Sequence, residues 1–341
     1  MRLKKKTKIL IISGIALDFF MCVALFVLYG PWSYFRNFWI TSAMTSMSHQ
    51  YLAHWFYSDK TISDVMANNY VVETGEDTDI SLIDRTSSDN TTTYADVYEE
   101  QILKKDKGND LYKVINISGK GYKGFMVAVY DPSKISLAMA TYLGTRGDTL
   151  DVFAKNNKAK VAINASGFID PDGRGKGGVP TGSVVQNGKL VYSSPSPGRD
   201  GGVIGFDNND NLILTKESMK NALTKYHLRD AVEFGPFLIV NGKPSYIKGN
   251  GGWGIASRTV IGQRKDGIVL LLIIDGRQPG YSVGIDMAEL TKIMTNYKAI
   301  NASNLDGGAS TGLVVNNKIT NRPCGIGGNG LRYLPNAWII K

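Results

Sequence analysis

The stretch Ile268-Val-Leu-Leu-Leu-Ile-Ile274, closed by Asp275-Gly276-Arg277 and followed further on by Ala299-Ile-Asn-Ala-Ser-Asn304-Leu-Asp306-Gly307-Gly308-Ala-Ser310, decides how this chain is read. The first run is unbroken apolar sequence, the signature of a strand buried on both faces. Between the two, Asp286 with Glu289 three residues on makes a capping-box-like start. Met287, Leu290, Ile293, Met294 and Tyr297 then fall on one face at helical spacing. The reading is strand, helix, apolar segment, polar cluster. A polar Asn-x-Asp-Gly-Gly-x-Ser cluster directly after an apolar segment costs folding energy unless it lines a site. Its twin glycines let the backbone approach a ligand beside a carboxylate; the same residues also make a tight turn with Asp306 bonding its own backbone.

Working outward, the composition changes along the chain. Of 38 glycines only Gly14, Gly30, Gly75 and Gly108 precede Ser118. A Gly-dense region with short apolar runs predicts many strands joined by tight turns. Candidate strands are Phe125–Tyr130, Ile135–Thr141, Lys160–Asn164, Gly182–Gln186, Leu190–Ser193, Val203–Phe206, Leu212–Thr215, Phe237–Val240, Arg258–Gly262, Ile268–Asp275 and Gly312–Val315. Asn187-Gly188 and Asn241-Gly242 are hairpin-turn signals, and Asn316-Asn317 marks a similar turn. Helices are fewer: Asp148 to Lys155, Lys216 to Lys225, and the capped one after Asp286. The expectation is an α+β, strand-dominated domain of mixed sheets with a few packed helices over residues 109–341, large enough for a substantial core.

The N-terminal third reads differently. Ile9 to Gly30 is a nearly continuous apolar run, about the length needed to cross a bilayer core. Arg2, Lys4, Lys5 and Lys6 ahead of it put the N-terminus in the cytoplasm and the remainder outside. Asp18 costs about 2–3 kcal/mol if it lies mid-membrane, and so apolar a run tolerates it. Pro31-Trp32-Ser33-Tyr34-Phe35-Arg36 resembles an interfacial aromatic belt. Without a small-x-small cleavage site directly after the run, a retained signal anchor is favoured over a cleaved signal peptide. Met44, Met47, Tyr51 and Trp55 predict an amphipathic juxtamembrane helix over residues 41–57. Residues 73–90, rich in Glu, Asp, Ser and Thr, predict a solvated linker, and residues 93–105 one more short helix. The organisation expected is a tail and anchor over residues 1–36, juxtamembrane helices and linker over 37–108, and one domain over 109–341.

Composition then excludes several chemistries. The net charge of +9 would suit nucleic acid, but Arg2, Lys4, Lys5, Lys6, Lys8 and Arg36 less Asp18 account for +5, leaving +4 for everything else. That is no phosphate-tracking stripe, so nucleic acid is not an expected partner. The histidines are His49, His54 and His227, and the cysteines Cys22 and Cys324. Cys22 lies in the apolar run, so neither a disulfide to Cys324 nor a zinc cluster is available. A Ser-His-Asp triad would have to use His227. The low cysteine count suits an exported bacterial protein better than a disulfide-rich animal one.

Asn164-Ala-Ser-Gly167-Phe168, then Ser257-Arg258-Thr259-Val-Ile-Gly262, then Asp275-Gly-Arg277, the capped helix and Asn304-Leu-Asp306-Gly-Gly-Ala-Ser310 occur in one order. That series resembles the phosphodiester glycosidase family, whose animal member removes N-acetylglucosamine to uncover mannose 6-phosphate on lysosomal enzymes. The resemblance covers roughly Gly124 to Lys341, and the anchor and linker ahead of it look like those of Gram-positive bacterial members. The family usually has Asn-Gly-Gly-Phe-Phe where this chain has Asn164-Ala-Ser-Gly-Phe168-Ile169. Glu233-Phe-Gly-Pro-Phe-Leu-Ile-Val-Asn-Gly242 matches its Gly-Pro-then-strand pattern and brings in Glu233 as a second carboxylate.

Cleaving a sugar C1–O bond to phosphate passes through an oxocarbenium-like state and needs a carboxylate near C1. Phosphate leaves readily, so a fixed cation and donors matter more than a strong acid. The resemblance therefore implies Asp306 as that carboxylate, Arg258 on phosphate and Glu233 as base for water. Gly307 and Gly308 are expected as backbone donors, Asn164 and Asn304 as sugar contacts, and Gly167, Ser310, Asp275 and Arg277 as further substrate-binding positions, with a structural turn the competing role for Asp275 and Arg277. No cofactor is assigned; Asp306, Asp275 and Asn304 supply oxygens of the kind Ca²⁺ takes, and the sequence leaves that open. The function implied is a single-pass, cell-membrane-anchored glycosidase hydrolysing sugar-1-phosphodiester bonds in a phosphate-containing cell-surface glycan of the wall or capsule. The alternative is a non-catalytic glycopolymer-binding or exopolysaccharide-assembly module on the same fold; a third reading is a wall-peptide hydrolase using Ser310 and His227.

Overall fold

The computed structural model describes residues 5–46, 49–85, 93–170, 175–195, 201–325 and 328–341. Its centre is a seven-stranded sheet in the order Lys243–Pro244, Phe237–Val240, Ala299–Asn304, Arg258–Arg264, Val269–Ile274, Tyr122–Val129, Tyr112–Gly119. The run that opened the reading is the fifth of these, buried at every position, as are both strands beside it apart from Phe125 of Tyr122–Val129 among the paired apolar positions. Each buried Leu there contributes about 1.5–3 kcal/mol by leaving water. Arg258–Arg264 and Val269–Ile274 form a hairpin in register from Arg258↔Ile274 to Gln263↔Val269. The helix Met287–Asn296, capped by Asp286 accepting from the Glu289 N–H, then carries the chain across that hairpin. Ala299–Asn304 therefore lands on the far side of Arg258–Arg264, with Val260 opposite Asn304. Val269–Ile274 and Ala299–Asn304 run the same way with one antiparallel strand between them. Asp275 and Asp306 consequently leave the sheet at the edge where Arg258 enters it.

Two five-stranded sheets complete the domain. One runs Leu212–Thr215, Gly202–Asp207, Leu228–Phe234, Val184–Gln186, Lys189–Tyr192; the other runs Lys318–Ile319, Leu313–Val315, Val161–Asn164, Asn336–Ile340, Ile135–Met139. Phe206 and Trp338, one from each, meet edge to face at 5.6 Å inside the shared core. The class is α+β and strand-rich, with eight α-helices among the described residues. The sheets, expected as mixed, are antiparallel in every ladder among those residues; hairpins join some neighbours, and others, such as Val269–Ile274 with Tyr122–Val129 and Asn336–Ile340 with Ile135–Met139, meet from distant parts of the chain.

Leu212–Thr215 and Phe237–Val240 fall where the sequence puts them, and the helix expected over residues 93–105 forms at Val97–Leu103, capped by Asp96. Two N-terminal expectations are corrected. The helix expected over residues 41–57 is instead Ser33–Met44 followed by the short Tyr51–His54, while Met47 lies outside the described residues. These pack with Asp59–Ala67 into a helical knot around Ile40, Ala43, Ala53, Tyr57, Ile62 and Val65. The acidic stretch expected as a solvated linker is, as far as Arg85, strapped to the domain. Tyr70–Val72 pairs with Tyr246–Lys248, the Glu73 carboxylate accepts from the Phe237 N–H, Thr78 bonds Leu214, and Glu76 pairs with Lys243. Its carboxylates find cations and backbone donors on the domain, which polarity alone does not reveal. The remainder of that stretch, from residue 86, lies outside the described residues. The helix Lys5–Tyr29 ahead of the knot is long and apolar enough to cross a membrane.

Candidate active site

The edge where Arg258 enters the central sheet collects most of the sequence-predicted residues. Asn304, at the end of its strand, is tied by its backbone N–H to the Pro236 carbonyl and by its amide to the Gly235 carbonyl, 2.9 Å. Gly235-Pro236 is a cis peptide. From there Leu305 N–H bonds the Thr259 carbonyl and Asp306 N–H the Ala165 carbonyl, so the loop threads between two sheets. Asn164, fully buried, locks it: its amide donates to the Asp306 carbonyl at 2.6 Å while its oxygen accepts from the Thr259 hydroxyl and the Gly312 N–H. Asn164 thus clamps the Asp306 turn, with its amide oxygen taken by two donors and its amide nitrogen bonded to the Asp306 carbonyl.

Asp306 itself is only partly buried, and its Oδ1 accepts from the Gly307 N–H at 3.0 Å. The turn expected of Asp-Gly-Gly is therefore present, and the carboxylate keeps partial exposure. The twin glycines do something other than donate. Gly307 N–H is used by Asp306 and Gly308 N–H by the Ser257 carbonyl, which corrects the expectation that they present backbone donors to a ligand. What they supply is close approach: a Cβ on Gly307 would crowd the Ser257 carbonyl at 2.9 Å, with Arg258 Nη1 3.7 Å away, and one on Gly308, at φ +60°, would lie 2.8 Å from Arg277 Nη2. Each glycine faces a guanidinium.

The two arginines differ in their setting. Arg258 is 4% exposed; its Nη2 donates to the carbonyls of Trp253 and Gly254 at 2.6 and 2.9 Å, and its guanidinium lies 5.9 Å from the Trp253 ring centre. Arg277 is exposed, at φ +59° in the turn after Asp275. Asp275 is 1% exposed and accepts from Asn321 Nδ2, the Arg322 N–H and the Tyr281 hydroxyl. Burial raises its pKa, and those hydrogen bonds oppose the rise. These bonds are what the competing expectation for Asp275, a structural turn, calls for.

Of the groups named for Ca²⁺, the Asp275 carboxylate is occupied as described, and no group of three His, Cys, Asp or Glu that could hold a metal ion occurs among the described residues. Asn304 Oδ1 is buried without a hydrogen-bond partner. Glu233, also buried, accepts from the Ser183 N–H, and desolvation raises its pKa against that bond. It precedes Phe234, whose ring would be 2.9 Å from a Cβ on Gly167 and lies 6.2 Å from Trp253. Ser310 is buried and His227 is exposed at the left-handed end of the helix Met219–Tyr226, with no hydrogen bond between them. Sequence reasoning missed Trp253, Gly254, Ser257 and Thr259 as the holders of this edge. The signal available was Gly249-Asn-Gly-Gly-Trp-Gly254, a Gly-dense loop placed just ahead of Ser257-Arg258.

Comparison with known proteins places this edge in a family. In a solved structure, the chain resembles the zebrafish N-acetylglucosamine-1-phosphodiester alpha-N-acetylglucosaminidase catalytic domain auto-inhibited by pro-peptide, with a TM-score of 0.55 and 21% identity over 69% of this chain and 85% of that one. At that identity the likeness is one of fold. Among curated proteins, the SPbeta prophage-derived uncharacterized protein YomE of Bacillus subtilis (strain 168) is 30% identical over 200 residues, 56% of this chain; the match spans 30% of that longer protein. The phosphodiester glycosidase family model matches residues 157–341, more than half of the sequence, and the chain belongs to that family.

Proposed function

We propose that this chain is a membrane-anchored glycosidase that hydrolyses sugar-1-phosphodiester bonds in a phosphate-bearing glycopolymer outside the membrane. The observation that carries the proposal is the Asp306-Gly307-Gly308 turn, a partly exposed carboxylate beside two glycines that each face a guanidinium. In this reading the phosphate lies against Arg258 Nη1 and Arg277, where growing negative charge on the leaving group meets fixed positive charge. Asp306 stabilises the oxocarbenium-like sugar or attacks C1. Glu233 takes the proton of the incoming water; burial raises its pKa, which strengthens it as a base. Asn164 and the Ala165 carbonyl hold Asp306, and the buried Asn304 Oδ1 is the acceptor left for a sugar hydroxyl. The Lys5–Tyr29 helix, with Arg2 and Lys4 ahead of it and Lys5, Lys6 and Lys8 at its start, supports a single-pass anchor with the domain on the outer face.

The test uses the full chain in detergent or nanodiscs, because the strap and knot pack on the domain. Incubated with a glycosyl-1-phosphodiester, it is expected to release free sugar and a phosphomonoester. A wild type that binds wall glycopolymers yet cleaves none of them would replace the enzyme with the binding module. Loss of activity in His227→Ala with retention in Asp306→Asn would move the chemistry to Ser310.

A further inference from the structure

The Arg258 guanidinium does not hold its own place. Its Nη2 is fixed by the carbonyls of Trp253 and Gly254, in a loop whose glycines at 249, 251, 252 and 254 all have positive φ. Such a loop has no stiffness of its own. Besides its own bonds and the packing of Gly251 on Met287, it is held by the helical knot next to the membrane anchor. Thr41, fully buried, accepts from Asn250 Nδ2 at 2.8 Å while donating to the Asn37 carbonyl. Asn69, 3% exposed, accepts from the Asn250 N–H at 3.0 Å. The Thr45 hydroxyl reaches the Trp253 carbonyl at 3.4 Å. Gly254 packs so closely on Ser42 that a Cβ would come within 2.7 Å of the serine Cα. The knot in turn grips the end of the anchor helix: the Tyr57 hydroxyl donates to the Leu28 carbonyl, and the Tyr57 and Tyr29 rings meet at 5.9 Å.

We infer that Thr41 and Asn250 are positioning residues of the reaction centre, acting on Arg258 through the Trp253 and Gly254 carbonyls, so that the anchor-proximal knot is part of the site and not a spacer. Ser42 falls 12 residues past Gly30, which at about 1.5 Å per helical residue keeps the Arg258 loop within roughly 20 Å of the end of the anchor. This rests on the reading of Arg258 as the phosphate partner. A guanidinium displaced by an ångström stabilises the departing phosphate less, and such displacements cost about 10- to 100-fold in rate.

The experiment compares full-length wild type with Thr41→Val, Asn250→Ala and Thr41→Ser, on diesters whose leaving phosphates span a range of acidity. Thr41→Val and Asn250→Ala are expected to lower kcat about 10-fold or more, with the melting temperature shifted by only a few degrees. The loss should be largest for the poorest leaving group, a dependence that a merely structural defect would not produce, and Thr41→Ser should restore the rate. Unchanged kcat in both variants, or a loss equal for all leaving groups, overturns the inference. If wild type cleaves none of the diesters, the functional reading falls by itself. Hydrogen exchange of residues 249–258 then decides the seat: faster exchange in Thr41→Val upholds it, and unchanged exchange rejects it.

Discussion

Asp275-Gly276-Arg277 and Asp306-Gly307-Gly308 are two Asp-Gly turns at the ends of two strands that flank the same strand and point the same way. Their sequences promise similar chemistry, and their surroundings part them. Asp275 is 1% exposed and meets three donors from other segments, so its carboxylate is a staple for the turn and for Asn321-Arg322. Asp306 is partly exposed, and it is the backbone around it, not its carboxylate, that Asn164 and Ala165 hold. Neighbouring turns thus divide the labour: the Asp275 carboxylate ties distant segments into the edge, and Asp306 is held by its backbone and stays partly exposed, its Oδ1 bonding the adjacent Gly307 N–H. An Asp-Gly motif carries a site only where other side chains do the holding.

The sharpest way to break this comparison is Asp306→Asn, which keeps the size and the turn but removes the charge. Turnover of a glycosyl-1-phosphodiester is expected to fall about 10³-fold, with the melting temperature nearly unchanged. Activity equal to wild type would mean that Asp306 is a turn residue like its neighbour. Glu233 comes next, because it is buried as Asp275 is and yet assigned to chemistry. Glu233→Gln is expected to lower turnover about 10²-fold and to remove the acidic limb of the pH–rate profile, a limb lying above the usual carboxylate range near 4.3. Its stability signature has the opposite sense. A carboxyl with a raised folded-state pKa adds stability that is full below the unfolded value and is lost as pH rises through the folded value. Melting of Glu233→Gln should therefore gain on wild type between pH 4 and pH 7. A variant that loses stability over that interval would reverse the sign assigned to Glu233.

Asp275→Asn probes the other side. The new amide would face Asn321 Nδ2, the Arg322 N–H and the Tyr281 hydroxyl with one acceptor fewer, so folding stability is expected to drop by about 1–3 kcal/mol. Denaturant unfolding measures this directly. Turnover measured well below the melting temperature should fall much less than in Asp306→Asn; a fall as large would make the two turns equivalent.

The sequence made the central hairpin, the capped helix and the Asp306 turn legible because each rests on local signals: an unbroken apolar run, a cap with periodic apolar residues, twin glycines. Leu228–Phe234 was missed because buried Asp230 and Glu233 interrupt its apolar pattern, each stabilised by partners distant in sequence. Asn336–Ile340 and Tyr112–Gly119 were missed too, and their pairing partners are Ile135–Met139, Val161–Asn164 and Tyr122–Val129. The stretch over residues 73–85 reads as a linker because its carboxylates meet Lys243, Lys216 and Lys225 only in the folded chain. For the same reason Asn164 and the twin glycines were given ligand contacts. Their hydrogen-bonding groups were counted as free, and folding spends them on the edge itself.

Arg277 offers the smallest and most discriminating effect. It belongs by sequence to the Asp275 turn and by position to the Asp306 turn, since its guanidinium meets Gly308. Being exposed, it would act on phosphate, in the proposed reading, through a screened interaction worth about 1 kcal/mol, against the shielded contact assigned to Arg258. Arg277→Ala is therefore expected to raise KM about 3- to 10-fold with little change in kcat, and to leave stability unaltered. The difference should shrink as salt is raised from 0.05 to 0.5 M, whereas the loss in Arg258→Lys should persist across that range. A stability loss in Arg277→Ala with KM unchanged would return Arg277 to the scaffold and leave Arg258 as the cation assigned to the site among the described residues.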